Sequence, residues 1–444
     1  MKKYIILLSV FVVIFAGLLI TVKVLEGNSP SASNPSVLAG SDSAQSTSSF
    51  DSMNGSGVVT ELGGESNATD NPEGDSVNQY TIIMNAKLEE SDWSLRQAAG
   101  LTNEAIAATM EASKGLYGYD NIGIGSQQLY AEILLVMQGH HTRIPLCSTD
   151  ATQIETVSEC VLLDHPEIFY VDGYSYEKYM FAGIVEKIMY TANYTMTVEE
   201  ASQNEILIQE YVDACMQGLP QGATDYDKVK YVYEFVILNT EYNLNAPENQ
   251  NICSVFLYRE SVCLGYAKAI QYLLQQMDVE CCVVTGSVIT GEGHAWNLVK
   301  INEQYYYVDA TWGDASYLSD VGTASALSNI NYDYLCITTT DLLKTHVIDN
   351  PVKVPNCIMT IDNYYVKEGL YLNSLDSLKI KSIFDVAYDN NMDCISIRCA
   401  NETVFREVQS DLLDNQKIFS YLRPQTETLA YIYNEDLYTY TFML

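Results

Sequence analysis

The sequence predicts an α+β fold, and three stretches of hydrophobic patterning carry that prediction. Helical periodicity dominates from about residue 80 to 240, where apolar residues recur every three or four positions. From 279 to 310 the pattern changes to that of strands, and the last hundred residues alternate short strands with a helix. Of the 444 residues, 48% are apolar and 18% are charged, which is the composition of a folded protein with a large core.

The chain opens on an apolar run. Lys2 and Lys3 precede an uncharged stretch over 4–22, which as a helix would reach roughly 28 Å and just span a bilayer. Positive residues in front of such a helix favour a cytoplasmic N-terminus, with the rest of the chain outside. We therefore expect a signal anchor over 1–26 and a single-pass membrane protein whose folded part lies outside the cytoplasm. The alternative is cleavage of this segment and secretion.

The next stretch, 27–79, is predicted to be a disordered Ser/Gly-rich stalk. Between 27 and 78 it holds no Lys or Arg and a single aromatic residue, Phe50, so it cannot bury enough apolar surface to offset its ordering entropy. Beyond it the periodicity predicts a mainly helical N-terminal region over 80–220, a central core over 221–345 and a small α+β region over 346–444.

Individual elements follow from the same patterns. Predicted helices begin at Thr102 and cover 127–137, 198–216, 225–239 and 403–412. Predicted strands cover 168–171, 279–287, 294–301, 304–310, 364–371, 394–398, 429–433 and 438–442.

Charge and cysteine usage exclude two classes of protein. The formal net charge is 23 − 57 = −34, so a phosphate backbone would be repelled and nucleic acid is excluded as a partner. None of the eleven cysteines lies in a CxxC pair, which argues against a zinc ribbon or a thioredoxin-like site. In an exported chain they could form disulfides, or most could be small buried apolar residues.

Cys263 is the candidate nucleophile. It precedes a run in which Ala267, Ile270, Leu273, Leu274 and Met277 share one helical face, so it falls at or just before the first turn of a helix. The unpaired N–H groups and the partial positive charge of a helix N-terminus favour a thiolate and could hold an oxyanion.

A thiolate nucleophile needs a base, and the base needs an orienting group. His294 begins one predicted strand and Asp309 ends the next, with Asn302-Glu303 between them as a two-residue turn. In that register residue pairs sum to 605, so Asp309 stands opposite Trp296, and His294 is its diagonal neighbour on the same face. Diagonal Cα atoms lie about 7–8 Å apart, which lets a carboxylate reach an imidazole. A three-residue loop would separate them onto opposite faces.

These residues lie in three motifs: Val262-Cys-x-Gly-Tyr-Ala, His294-Ala-Trp-Asn and Val308-Asp-Ala-Thr-Trp, with gaps of 31 and 15 residues. In this order they resemble the transglutaminase-like superfamily, in its bacterial exported branch. The wider resemblance runs from about Gln127 to the C-terminus and takes in His346.

The resemblance implies a papain-like α+β core over 221–345, in which a nucleophile helix packs on an antiparallel sheet. It implies Cys263 as nucleophile, His294 as base and then acid, and Asp309 as orienter, with no metal and no organic cofactor. Gln250 matches a glutamine of similar sequences and could assist the oxyanion, although a loop glutamine is ordinarily solvated. Trp296 and Trp312 are expected to wall the site.

Two functions stay open on this basis. The first is an exported, membrane-anchored cysteine enzyme that forms a thioester with a protein or peptide carboxamide, followed by transfer to an amine or by hydrolysis. Its partner is a protein or peptide substrate, with cell-wall material as one open class. The second is a catalytically silent surface module of the same fold that binds peptide, cell wall or a partner protein.

Overall fold

The computed structural model describes residues 4–7, 44–46, 84–181, 183–314, 330–424, 426 and 428–444. The α-helices are α1 Glu90–Ala98, α2 Asn103–Ala112, α3 Tyr117–Asn121, α4 Ile124–Gln138, α5 Ala151–Asp164, α6 Val198–Gly218, α7 Asp225–Leu238, α8 Cys263–Gln275, α9 Ala310–Gly313, α10 Thr339–Leu342, α11 Tyr364–Lys367, α12 Ser377–Asp389 and α13 Glu402–Val408. Shorter π and 3₁₀ turns cover Ser254–Tyr258, Gln409–Asp414 and Lys417–Ser420.

The strands build four sheets. They are β1 Tyr4–Leu7, β2 Ala44–Ser46, β3 Ile144–Pro145, β4 Val171–Phe181, β5 Ile184–Tyr194, β6 Glu241–Tyr242, β7 Glu260–Ser261, β8 Cys281–Val288, β9 Gly293–Ile301, β10 Gln304–Val308, β11 Leu335–Ile337, β12 His346–Ile348, β13 Tyr371–Leu372, β14 Cys394–Cys399, β15 Thr428–Asn434 and β16 Thr439–Met443. Their orders are β11-β10-β9-β8-β12, β1-β15-β16-β14-β13, β2-β4-β5-β3 and β6-β7.

The central sheet is antiparallel throughout and carries α8 on one face. Every residue of the predicted apolar face of α8 is buried, and the helix is tied to β9 because Asn297 Nδ2 donates to the Ala267 carbonyl at 2.8 Å. Helices α6 and α7 bury their apolar sides in the same core. The structure therefore confirms the α+β class and the packing of the Cys263 helix on an antiparallel sheet.

The N-terminal part has its own core, built by α2, α4 and α5 against the β4–β5 hairpin. Helical positions were predicted well here: α2 is capped by Thr102, and α4 covers the predicted 127–137. The hairpin of two eleven-residue strands was not predicted, and the strand expected at 168–171 begins only at Val171. The β4–β5 strands contain many tyrosines and charged residues, so the alternation of apolar and polar residues that marks a strand was weak.

The C-terminal part contains one wrong prediction and one omission. Residues 364–371, expected as a strand, form the short helix α11 over Tyr364–Lys367 and only then enter β13. Tyr364 and Tyr365 are buried between the central core and this part, so their aromatic rings serve packing rather than strand pairing. Helix α12 was not predicted, whereas β14, β15 and β16 lie within two residues of the prediction.

The predicted anchor and stalk fall almost entirely outside the described residues. Within them, Tyr4–Leu7 is a strand parallel to β15 rather than part of a helix, and Ala44–Ser46 pairs with β4. A free sheet edge supplies hydrogen-bond partners to an apolar segment, as a helix does for itself. Across the described ranges, no helix combines the length and apolar character that crossing a bilayer needs.

Candidate active site

Cys263 is the first residue of α8, as the sequence predicts. The preceding residue, Val262, is extended and provides no side-chain cap, so no side chain at the cap position occupies the first-turn N–H groups. The thiol is only partly buried, in contrast to most other cysteines of the chain. A partly exposed sulfur at an uncapped helix N-terminus is suited to bind and attack an electrophile.

The close packing around residue 265 explains why a glycine lies two residues after the cysteine. A Cβ at this position would lie 2.0 Å from Ser261 Oγ, 2.7 Å from Ser254 Oγ and 2.9 Å from the Asn249 carbonyl. The two serine hydroxyls are themselves bonded at 2.6 Å in the buried layer beneath the helix. The first turn of α8 can therefore approach this layer only because residue 265 has no side chain.

The β9–β10 hairpin has the predicted register. Gln304 pairs with Ile301 and Val308 with Asn297, each pair summing to 605. The two turn residues both have positive φ, 50° at Asn302 and 63° at Glu303, as a two-residue type I′ turn requires. The prediction that His294 and Asp309 share a face is confirmed: His294 Nε2 lies 2.7 Å from Asp309 Oδ2.

Asp309 is held on both of its carboxylate oxygens. It is the N-cap of α9, and its Oδ1 accepts a hydrogen bond from the Trp312 backbone N–H at 3.1 Å. This cap accounts for the Asp-Ala-Thr-Trp order, because the capping carboxylate must precede the donating N–H by three residues. The side chain is 1% exposed, so its orientation is fixed by these bonds rather than by water.

Burial and pairing shift the pKa values of this pair in opposite directions. Burial alone would raise the pKa of Asp309, but the charge and hydrogen bond of His294, followed by the hydrogen bond of His346, hold it well below its usual range. Burial alone would lower the pKa of His294, yet Asp309 outweighs it and, together with Cys263, raises it to about 10. Cys263 thus lies close enough to the imidazole to influence its protonation. Because Nε2 faces Asp309, Nδ1 is the ring nitrogen available to the thiol.

Both predicted tryptophans lie against His294. The Trp296 ring is fully buried and stacks at 5.8 Å between ring centroids, while the half-buried Trp312 lies at 6.2 Å. Their position beside the imidazole suits the predicted wall of the site. Such a wall strengthens the His294–Asp309 pair, because it lowers the local dielectric.

Gln250 occupies an exposed turn, and its Nε2 donates to Asn249 Oδ1 at 3.1 Å. The neighbouring Asn249 carbonyl packs on the first turn of α8 beside Gly265, so the glutamine belongs to the surroundings of the Cys263 helix. Nothing in its contacts tests an oxyanion role, which stays a prediction.

His346 is the site residue that the sequence patterns missed. It begins β12, is 1% exposed, and places Nε2 at 3.1 Å from Asp309 Oδ2. A lone histidine at the start of a three-residue strand carries no periodicity or spacing that ties it to the other motifs. The only available signal was its inclusion in the wider resemblance.

Within the described ranges, His294, Asp309 and His346 form the one cluster in which three His, Cys, Asp or Glu side chains could share a metal ion. Their facing atoms already bond to one another, since both Nε2 atoms lie on the same carboxylate oxygen. The three side chains thus form a hydrogen-bonded cluster.

All eleven cysteines are among the described residues, and all are free thiols. Nine are buried; only Cys263 and Cys394 are partly exposed. Burial raises the pKa of Cys281 and that of Cys282, which are packed within β8, in line with a structural role.

A partly exposed cysteine at a helix N-terminus, facing a histidine and an aspartate on a neighbouring sheet, defines the papain-like class of site. Comparison with known proteins agrees: residues 214–310 match the sequence model of the Transglutaminase-like superfamily. The match includes Cys263, His294 and Asp309. Residues 214–310 therefore form a transglutaminase-like domain.

Two curated relatives and one solved structure show similarity. Kyphoscoliosis peptidase of Mus musculus is 24% identical over 194 residues, which cover 39% of this chain and 29% of that protein. The Homo sapiens protein is 24% identical over 190 residues, or 38% of this chain and 28% of its own length. The chain thus spans less than a third of these relatives. The crystal structure of a TGase aligns with 17% identity and a TM-score of 0.23, covering 32% of this chain and 44% of that one.

Proposed function

We propose that this protein is a transglutaminase-like cysteine enzyme that forms a thioester with a protein or peptide carboxamide. The observation that carries the proposal is the order of Cys263, His294 and Asp309: the thiol at the start of α8 lies beside the imidazole, and the imidazole is hydrogen-bonded to the carboxylate. Each member has the position that its role requires: the sulfur at the helix start, the imidazole between the two, and the carboxylate buried behind it.

The acylation step uses the ion pair of Cys263 and His294. The thiolate attacks the carboxamide carbon, a C–S bond forms, and the carbonyl oxygen becomes an oxyanion near the first-turn N–H groups of α8. The His294 Nδ1 proton then passes to the leaving nitrogen, the C–N bond breaks, and ammonia or an amine departs. Asp309 keeps the imidazole in the orientation and tautomer that this transfer needs.

The deacylation step reverses the roles. His294, now neutral, takes a proton from the incoming nucleophile, which attacks the thioester carbon and expels the Cys263 sulfur as thiolate. An amine nucleophile yields a new amide, and water yields a carboxylic acid. Transfer and hydrolysis share every step up to this point, so the proposed function includes both.

Activity can be measured with dimethylated casein and a fluorescent primary amine for transfer, and with ammonia release from a glutamine-containing peptide for hydrolysis. Cys263→Ala and His294→Ala should each lower the rate at least a thousandfold, because members of such a set act as a unit. Acid quenching of the wild-type reaction should reveal a thioester adduct on the peptide that contains Cys263.

The matched control is Cys394→Ala, which removes the other partly exposed thiol, on β14 of a separate sheet. This variant should retain full activity. Full activity in Cys263→Ala would overturn the proposal. If iodoacetamide alkylates Cys263 of the wild type no faster than an ordinary thiol, a catalytically silent binding module is favoured.

We also propose that the folded part works outside the cytoplasm, attached to the membrane through residues 1–26. The support is the sequence alone: two lysines, then an uncharged apolar run, then a stretch poor in core-forming residues. The pairing of Tyr4–Leu7 with β15 is the competing arrangement of this segment. The full chain should resist extraction from membranes by alkaline carbonate, and a chain that begins at residue 27 should not. External protease should reach the folded part in intact spheroplasts.

A further inference from the structure

His346 contacts the same carboxylate oxygen as His294. The Nε2–Oδ2 distances to Asp309 are 3.1 Å from His346 and 2.7 Å from His294. With the Trp312 N–H on Oδ1, the buried carboxylate has three donors from three different elements: β9, β12 and the start of α9. His346 lies 346 − 310 = 36 residues beyond the segment that matches the superfamily.

The hydrogen positions around His346 can be assigned by counting donors. An ionised Asp309 only accepts hydrogen bonds, so the His346 Nε2 that faces it must carry a hydrogen. The other ring nitrogen, Nδ1, lies 2.8 Å from Thr345 Oγ1, and that hydroxyl lies 3.3 Å from Tyr334 Oη. The Thr345 hydroxyl also faces the Leu342 carbonyl, at the longer distance of 3.4 Å. When it donates to the nearer Nδ1 and accepts from Tyr334, the ring is the Nε2–H tautomer that Asp309 requires.

We propose that His346 is a positioning residue, whose Nε2–H holds the Asp309 carboxylate in its charged form and in line with His294. The inference rests on the proposed function, because it assigns His346 a part in keeping the base oriented. His346 acts through Asp309.

The surroundings of His346 leave its ring little freedom to move. The ring centroids of Trp312, Trp296 and Tyr334 lie at 4.9, 5.0 and 5.7 Å. Strand β12 approaches β8 so closely that a Cβ at Gly286 would lie 2.0 Å from the Val347 carbonyl. Gly286 thus lets β12 bring His346 within hydrogen-bonding distance of Asp309.

The titratable groups around Asp309 decide what the loss of His346 would do. His294 faces it from β9, His346 from β12 and Tyr242 from β6, and Cys263 acts through His294. Burial pushes the pKa of Asp309 upward, while both histidines push it downward. Without His346, Asp309 should take up a proton at a higher pH, and His294 should then lose its charged partner.

The test follows the ring N–H of His294, which is hydrogen-bonded to Asp309, by NMR of protein with ¹⁵N-labelled histidine. Five histidines keep the spectrum simple. On acidification, the pH at which this bond is lost should rise by about one unit or more in His346→Leu. In His346→Gln the side-chain amide can donate from nearly the same place and should recover at least half of the shift. In the wild type, the His346 nitrogen shifts should report the Nε2–H tautomer.

An Nδ1–H tautomer, or equal acid limits in wild type and His346→Leu, would overturn the inference. These readouts need no reactive thiol, so they can be repeated in a Cys263→Ala background. Iodoacetamide alkylation of Cys263 in the otherwise wild-type chain tests the proposed function separately. If Cys263 is alkylated with the pH dependence of an ordinary thiol while the NMR shift is still present, the proposed enzymatic function is rejected and the role of the Asp309–His346 contact is retained.

Discussion

At the scale of single residues, the site combines two unlike devices. Cys263 and His294 present groups that can react: the thiol lies at an uncapped helix start, and the Nδ1 nitrogen of His294 does not face Asp309. Asp309 is instead held in place, because each of its carboxylate oxygens accepts a hydrogen bond. The reactive Cys263–His294 pair is thus supported by a carboxylate whose hydrogen bonds fix its position. Such support holds a base in place without restricting its proton transfer.

The His294–Asp309 pair makes stability depend on pH. The pKa of His294 rises from 6.5 to about 10 on folding, so its contribution is complete below pH 6.5 and is lost as the pH rises towards 10. The pKa of Asp309 falls from 3.8, so its contribution is present above that pH and is lost only in stronger acid. Wild type should exceed His294→Gln in urea midpoint most clearly between about pH 4 and 6.5. A difference that grows towards pH 9 would contradict this assignment.

The sequence could identify Cys263, His294 and Asp309 because each lies in a local pattern: a helix start, and the two ends of a hairpin whose turn length is readable. It could not identify His346, because the β8–β12 pairing that brings it to Asp309 joins distant segments. Cross-strand register can be predicted across a two-residue turn, but not across the 58 residues, 346 − 288, that separate this pair.

At the scale of elements, the approach of α8 to the layer beneath it is the critical packing contact. Gly265→Ala would place a methyl group against Ser261, Ser254 and the Asn249 backbone. Because one of these neighbours is backbone, the helix start must shift, and we expect a loss of about 1–3 kcal/mol in stability. Slower alkylation of Cys263 should accompany it.

Gly125→Ala provides the control for this substitution. Gly125 lies in the first turn of α4, and a Cβ there meets nothing within 4 Å. Alanine should leave stability equal or raise it by about 0.5–1 kcal/mol, because glycine is the poorer helix former. Thermal unfolding of both variants checks the pair. Equal effects at the two positions would show that close packing at Gly265 is unimportant.

Helices and strands were predicted best where only one face of the element is buried. Helices α4, α7 and α8 show their apolar faces in the sequence, and the β9–β10 hairpin shows its turn. The β4–β5 hairpin was missed because tyrosines occupy both buried and exposed positions there: Tyr174 is 3% exposed and Tyr179 is 40% exposed. A residue type that serves both environments gives little periodicity.

At the scale of the whole molecule, buried polar contacts connect the central and C-terminal cores. Asp333 accepts hydrogen bonds from Tyr365 Oη at 2.6 Å and from Asn434 Nδ2 and Thr439 Oγ1, each at 3.0 Å. The loop that leads into β11 is thereby joined to β15 and β16. The C-terminal sheet supports the part of the chain that presents Tyr334 to His346.

The N-terminal core depends on one buried ion pair. Arg96 binds Glu132 through two hydrogen bonds of 2.9 and 2.8 Å and also donates to the Pro145 carbonyl. Arg96→Ala would leave the Glu132 carboxylate buried without its cation, at a cost of about 3–5 kcal/mol. The midpoint of urea unfolding should drop accordingly.

Lys87→Ala is the matched control. Lys87 pairs with Glu186, but its side chain is 75% exposed, and such pairs contribute about 0–1 kcal/mol. A small effect of Lys87→Ala beside a large one of Arg96→Ala is expected. Similar losses would mean that Arg96 stabilises the fold through packing area rather than through its charge.

The two-residue turn between β9 and β10 also bears on the order of folding. It makes the contact between His294 and Asp309 local, and local hairpins form in about 1–10 μs, ahead of pairings that close long loops. The nucleophile helix and the hairpin together span only 263–309. The pairing of β12 with β8 closes a longer loop, so His346 should join the cluster late. A chain emerging N-terminus first could therefore assemble its reactive centre before the segment that locks the carboxylate has arrived.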